Sequence, residues 1–386
     1  MERRPPRRHP VIRQRGMSMV ELLVTMAITL IATVIIFQVF EVSEGIKRTA
    51  TSGGDANQNG VIALYVMERD LRNGGMGIND ATLAGCAIVG WDSARAGNNF
   101  AATLLPVLIT PGADATTPDT VNMFYGSQTH IMGATRVSAD MVAATETAVR
   151  VTNRYGFRTG DLIMLLEPGT AKDCVIREVT SLPSAQSDQI VTDTGNYTLA
   201  GGGTAASRFN RSGGIGVLYV GANTANATRV FNLGNLYDAN GATMPVHNTY
   251  SIIGNNLAVA SLFNPIAATP VADNIVHLRA EYALADGTFS NAAPNWANVI
   301  GVRLAVVARS ALAEKPSGTD GAKCDTTTDG TETTPGPDQT PRWAGGVFDV
   351  SASGDADPTS MGFWKCFRYR VFETRVPLRN WIWRSS

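Results

Sequence analysis

The sequence predicts an α+β fold: one long N-terminal helix, apolar through its first half, packed on an antiparallel β-sheet globular domain with long loop insertions. Three observations carry this. No proline falls between Val11 and Leu105, so nothing there obliges a helix to stop. Residues 22–40, LLVTMAITLIATVIIFQVF, run for 19 positions without a charge. From about Thr82 the pattern turns to short alternating runs broken by turn residues, in a chain with 38 Gly, 18 Pro and only 17% charged residues.

The apolar run is within the ~17–25 residues that cross a bilayer as a helix. Ahead of it, residues 1–16 hold six Arg and one Glu, a net of +5, which leaves −6 for the rest of a chain whose total is −1. Cations directly before an apolar helix keep that end in the cytoplasm, so the remainder is expected beyond the membrane. The following EVSEGIKRTATSGG has no A-x-A cleavage pattern, and the segment is expected to be retained. The basic start therefore reads as membrane topology. Nucleic-acid binding is not expected, because no basic patch with interleaved aromatics occurs later.

One carboxylate breaks the apolar pattern. Glu21 heads the run, and Thr25, Thr29 and Thr33 follow at four-residue steps on one slowly winding face. Two readings are open for the threonines. Their hydroxyls either bond the carbonyl one turn back or, being small and polar, line a helix–helix contact in lipid. A carboxylate within a membrane helix is a functional candidate, since it costs about 3 kcal/mol at the bilayer centre and less near an end.

Further along, Gly53, Gly54 and Gly60 are expected to weaken or kink the helix. Val61, Leu64, Met67 and Leu71 then recur at helical spacing, giving a stripe that can dock on a sheet. Arg72-Asn73-Gly74-Gly75 is a helix stop, with a cation in the last turn and Gly just beyond.

In the β region, VHLRAEYAL sets Val276, Leu278, Ala280, Tyr282 and Leu284 against His277, Arg279 and Glu281, and Asp286-Gly287 predicts a hairpin turn. GVRLAVVAR sets Val302, Leu304 and Val306 against Arg303 and Arg309, and the last strand sets Phe367, Tyr369 and Val371 against Arg368 and Arg370. Each reads as an antiparallel strand with one wet face, which makes His277 a surface residue. Segments 183–214 and 313–361 read as inserted surface loops, the second pinned by Cys324. Trp381 and Trp383 are candidates for an exposed subunit contact.

The four cysteines, Cys86, Cys174, Cys324 and Cys366, are far apart, which excludes CxxC metal knuckles and thioredoxin-like motifs. Outside the cytoplasm they suit two disulfides, with three connectivities open. Asp55, Asn57, Asn59 and Gly60 match the first half of a calcium loop, but its twelfth position is Val66 where a bidentate Glu is needed. Asp325, Asp329, Glu332, Asp355 and Asp357 are scattered acids expected to be solvated. The four histidines, His9, His130, His247 and His277, are dispersed, and no HExxH, GxSxG or Walker pattern occurs, so no catalytic site, metal or cofactor is expected.

Gly16 followed by MSMVELLVTMAITLIATVII resembles the prepilin signal of type IV pilins and their relatives. The resemblance implies that residues 1–16 are a leader removed by a prepilin peptidase after Gly16, that Met17 becomes the methylated N-terminus, and that Glu21 is the fifth mature residue. Met17 stands where the family most often has Phe. Cleavage would leave an α-ammonium one helical turn from Glu21, and in the family that carboxylate is held to neutralise the terminal amine of a neighbouring subunit. In a helix bundle an unpaired charge is costly, so the pair acts as a register device.

Four further blocks, ALYVMERDLRNGGMGI (63–78), GDLIMLLEPGTAKDCVIREVTSL (160–182), WANVIGVRLAVVARS (296–310) and FRYRVFETRVPLRN (367–380), resemble the PilW group of minor pilins. That resemblance implies a leader (1–16), a pilin helix (17–77, transmembrane over 22–40) and a periplasmic, later extracellular, β-rich domain (78–386). It implies a subunit that helps prime a type IV pilus near its tip. Partners would be the major pilin, other minor pilins, the inner-membrane assembly platform and a PilY-type tip adhesin. A J-class type II secretion pseudopilin and an adhesive tip subunit are the alternatives.

Overall fold

The computed structural model describes residues 18–78, 81–128, 133–221, 227–237, 244–264, 266–292, 295–314, 324, 340–360 and 362–382. The helix α1 spans Met19–Asn73, 55 residues. The chain divides into two units, Met1–Ser52 and Gly53–Ser386. The first consists, among the described residues, of Ser18 and the N-terminal part of α1, and nearly every side chain described there is exposed.

The second unit holds the rest of α1 and three main sheets. A six-stranded sheet has the order Asn99–Thr103, Ala87–Trp91, Cys174–Glu178, Asp161–Leu166, Arg229–Asn235, Thr135–Arg136. A five-stranded sheet runs Thr269–Ala272, Asn256–Ser261, Val246–Ile253, Thr120–Tyr125, Val107–Thr110, and a four-stranded sheet Phe289–Ser290, Ile275–Leu284, Val299–Arg309, Tyr369–Pro377. All pairings in these sheets are antiparallel except one: Ala87–Trp91 lies parallel to Cys174–Glu178, with Val89 opposite Val175. The long excursion between those strands supplies the crossover that a parallel pair requires.

The second half of α1 docks where the five- and four-stranded sheets share a core. Ala56, Ala63, Met67 and Leu71 pack there with Val121, Met123, Tyr250, Leu278, Tyr282 and Leu304. The docking stripe therefore differs from the expected one, since Val61 is 58% exposed and small residues take its place. Gly53, Gly54 and Gly60 do not end the helix. A Cβ on Gly60 would overlap the Phe372 ring, so this glycine admits close approach of the last strand. The helix stops at Asn73 as expected, with Gly75 at φ 79° just beyond. The hairpin turn also forms as expected: Asp286 accepts from Thr288 N at 2.9 Å, and Gly287 takes φ 85°.

In the four-stranded sheet Ile275–Leu284 and Val299–Arg309 are covered on both faces, whereas the last strand keeps Arg370 exposed as expected. Val276, Ala305, Val307, Phe348, Val350, Trp364 and the Cys324–Cys366 disulfide form a second core on the sheet's other side. Part of 313–361 is thus a covering layer, with Arg342–Trp343 and Gly346–Val347 paired as a small hairpin. His277 is consequently buried, 1% exposed, its ring edge-on to Phe348 at 5.2 Å between centroids. Val276 joins the His277 side because a bulge between Ile275 and His277 breaks the alternation. Arg303 is also buried, paired with Glu281 and stacked over the Phe289 ring at 3.8 Å.

Segment 183–214 is likewise more than a loop. Gln189–Val191 pairs with Ala148–Arg150, and Asn196–Thr198 pairs with Thr204–Ala206. Buried Glu178 clamps the segment, accepting from Tyr197 Oη at 2.5 Å and from the backbone N–H groups of Arg208 (2.7 Å) and Phe209 (3.0 Å). Arg208 in turn donates to both oxygens of buried Asp92, at 2.6 and 2.8 Å. The cysteines pair as Cys86–Cys174 and Cys324–Cys366.

Candidate functional site

Gly16 and Met17 lie outside the described residues. The site that can be built begins at Ser18, whose carbonyl accepts the first helical bond, from Leu22 N at 3.1 Å. Glu21 sits in the first turn of α1. A carboxylate there faces unpaired N–H groups and the positive end of the helix dipole, so its charge stabilises the helix start.

Thr25, Thr29 and Thr33 all turn their hydroxyls back along the helix. Thr25 Oγ1 donates to the Glu21 carbonyl at 2.7 Å, Thr29 to the Thr25 carbonyl, and Thr33 to the Thr29 carbonyl at 2.7 Å. Of the two readings left open by the sequence, back-bonding is the one this geometry displays. It removes the cost of a bare hydroxyl in hydrocarbon. The stripe thus offers small, satisfied side chains along one face, rather than donors looking for partners. Around it Leu22, Val24, Ile28, Ile31 and Ile35 are exposed, and the helix holds an 18-residue window of mean hydropathy 2.5 with no residue buried. By length and composition this helix can cross a membrane.

Sequence reasoning missed the residue that fixes the second half of the helix. Asp70 is 0% exposed. Its Oδ2 accepts from Tyr250 Oη at 2.7 Å and Asn248 Nδ2 at 2.9 Å, and its Oδ1 from Tyr125 Oη at 3.1 Å and Arg69 Nη2 at 3.2 Å. Burial, then the charge of Asp70, raises the pKa of both tyrosines, which therefore remain donors at physiological pH. The signal was present: Asp70 stands seven residues after Ala63 and three after Met67, on the face that docks. A charge in that stripe points to a buried acceptor.

The remaining chemistry-bearing residues do not converge. His247 is 4% exposed, lies 3.4 Å through Nδ1 from Asn122 Nδ2, and packs its ring on Phe124 and Phe263. Burial pushes its pKa down to about 4. His277 Nε2 donates to the Ala115 carbonyl at 3.1 Å, and burial, then the Arg279 charge, lowers its pKa. His9 and His130 are outside the described residues, as are Asp325, Asp329, Glu332 and Trp383. Asp55, Asn57 and Asn59 are helical, which is incompatible with a calcium loop. Asp357 caps its own turn, accepting from Thr359 N at 2.9 Å and Oγ1 at 2.8 Å. Among the described residues no three His, Cys, Asp or Glu side chains gather as metal ligands. Trp381 is 2% exposed, buried against Trp296 (ring centroids 6.2 Å apart), and so forms part of the core instead of a surface contact.

Residues 12–37 match the family described as the prokaryotic N-terminal methylation motif. No curated protein matches the chain. The motif, running into a long apolar helix and a β-rich domain, supports a type IV pilin-like chain, the subunit of a pilus or of a pseudopilus. It supports processing by a prepilin peptidase, membrane anchoring before assembly, and assembly with other pilins.

Proposed function

We propose that the chain is a non-enzymatic minor pilin of the PilW type, which helps prime a type IV pilus and stays near its tip. The observation that carries this reading is the methylation motif at residues 12–37, continuing into a helix whose second half is locked into a large β-domain. Segments 183–214 and 313–361 add bulk that suits a low-copy end subunit better than one repeated along a crowded fibre. Before assembly the N-terminus is cytoplasmic and the β-domain periplasmic. The peptidase removes residues 1–16 and Met17 is methylated. The helix then leaves the bilayer through the inner-membrane assembly platform, Glu21 pairing with a neighbouring terminal amine, and the Thr25, Thr29 and Thr33 face packing among helices of the major pilin and other minor pilins. A PilY-type adhesin is the expected neighbour at the tip.

The mass and N-terminal sequence of the mature protein test the processing. A start at methylated Met17 is expected; a chain beginning at Met1, or cut beyond residue 40, refutes it. Sheared fibres probed for this subunit separate pilus from pseudopilus. Recovery solely with a secretion machine overturns the pilus assignment in favour of the J-class pseudopilin. The adhesive reading predicts that deleting residues 325–339, which spares Cys324 and the Phe348 layer, abolishes attachment while pilus number is unchanged.

A further inference from the structure

One face of the six-stranded sheet carries a cavity of about 470 Å³, within the range of small-molecule sites. Its floor follows from the strand register. Ala101, Val89 and Val175 stand side by side on neighbouring strands. Two residues further along, Asn99, Trp91 and Arg177 come next on that same face. The wall opposite is the segment 211–217, with Arg211 and Ile215 on it.

The cavity is cationic in an unusual way. Arg177 is 3% exposed, yet among the described residues its hydrogen-bond partners are backbone carbonyls and not carboxylates. Its Nη2 donates to the carbonyls of Gly214 and Ile215, both at 2.7 Å, and its buried Nε has no hydrogen-bond partner. Burial, then the charge of Arg211, lowers its pKa to about 10. Two like charges therefore approach one another in a partly desolvated place. Arg211 is held close by the backbone: Gly216 has φ 83°, and a Cβ there would collide with the Arg211 guanidinium. Asp173, at the cavity edge, is exposed and forms no ion pair with either arginine among the described residues. Neutral carbonyls satisfy N–H groups but leave the charge in place, and an entering anion would offset it.

We propose that this cavity binds a carboxylate carried on a six-membered ring, the carboxylate meeting Arg177 and Arg211 and one apolar face of the ring lying on the Trp91 indole. Guanidinium groups match a carboxylate in plane and charge, and an indole beside Val89 and Val175 offers a flat, apolar seat. Two sources share this chemistry: the uronic-acid unit of a polysaccharide and an aromatic acid. The site is independent of the N-terminal motif and stands whether the subunit belongs to a pilus or a pseudopilus.

The test is calorimetric titration of the full-length chain in detergent micelles with glucuronate, glucose, benzoate, benzyl alcohol and sulfate. One acid is expected to bind saturably, one per chain, at least about tenfold tighter than its neutral counterpart and than sulfate. Whichever acid binds identifies the source. Arg211→Gln, an exposed change that leaves the fold in place, is expected to remove that tenfold preference, and Trp91→Ala to weaken the acid that binds relative to sulfate. Absence of binding by both acids, equal binding of the neutral counterparts or of sulfate, or unaltered acid binding by Arg211→Gln overturns the proposal.

Discussion

Tyr250 donates its hydroxyl to the Asp70 carboxylate at 2.7 Å across 180 positions of sequence, tying the docked half of α1 to the five-stranded sheet. The acceptor is fully buried, and besides its helix neighbour Arg69 it receives two further donors, Asn248 and Tyr125, from the same sheet. A hydrogen bond to a charged, buried acceptor contributes about 1.5–3 kcal/mol. Tyr250→Phe is expected to lower unfolding stability by that amount, with the ring still packed. Asp70→Ala is expected to cost more, because two buried tyrosine hydroxyls and the half-buried Asn248 amide lose their acceptor together. Denaturant titration of the full-length chain in detergent measures both, and an Asp70→Ala loss no larger than that of Tyr250→Phe sinks the account.

Glycines in one helix should respond with opposite signs. Around Gly53 and Gly54 a Cβ meets nothing within 4 Å, so Ala at either is expected to stabilise the helix by up to about 1 kcal/mol. At Gly60 the same Cβ overlaps Phe372, and Ala is expected to destabilise by about 1–3 kcal/mol. Shrinking the ring should relieve the clash. The double change Gly60→Ala with Phe372→Leu is therefore expected to be more stable than the two single costs added together, and strict additivity in thermal melts would argue against the close approach.

What could be read from the sequence was what local rules determine. The proline-free stretch, the stop at Arg72 to Gly75 and the turn at Asp286-Gly287 each depend on neighbours within a few residues, and each forms. The apolar head was legible because its composition alone sets it apart. What escaped depends on distant partners. The burial of His277 requires Phe348 and Trp364 to fold over a strand that alternates as if half wet. The three-residue strand Gln189–Val191 exists through its pairing with Ala148–Arg150, which nothing in its own composition announces. A bulge at Val276 shifts one position and moves that side chain to the other face. The cavity beside Arg177 needs three strands in register, and Arg177 alone carries no signal.

His247 makes stability depend on pH below neutrality. Burial lowers its folded pKa to about 4, while the unfolded chain retains the ordinary 6.5. Above pH 6.5 both states are neutral and the group contributes nothing to the dependence. As pH falls from 6.5 toward 4 the unfolded state takes up the proton first, so stability is lost across that window and the loss levels off below it. At about 1.4 kcal/mol per unit, the loss is about 2 kcal/mol at pH 5. His277, lowered for the same first cause, acts in the same direction. His247→Gln is expected to flatten the decline in melting temperature between pH 7 and pH 5, and an unchanged slope would remove His247 as its source.

The carboxylate of Glu21 is best separated from its surroundings by a change that keeps its shape. Glu21→Gln leaves the side chain's length, the helix and the backbone carbonyl that receives the Thr25 hydroxyl, and it removes only the charge. If the charge serves the membrane helix alone, the neutral amide should insert at least as well and reach fibres normally, since an uncharged group is less costly in lipid. If it pairs with a terminal amine during assembly, the amine arrives in the helix bundle without its counter-charge, and an uncompensated buried charge is strongly destabilising. The two cases therefore differ in sign as well as size. Peptidase cleavage after Gly16 is expected to proceed, giving the mature mass, while the amount recovered in sheared fibres falls by about tenfold or more, a factor that corresponds to about 1.4 kcal/mol. Thr29→Val, which removes a hydroxyl already bonded within its own helix, is expected to change fibre recovery little. A Glu21→Gln chain recovered in fibres as fully as the unaltered one would assign the carboxylate to the helix start and leave assembly to the apolar face.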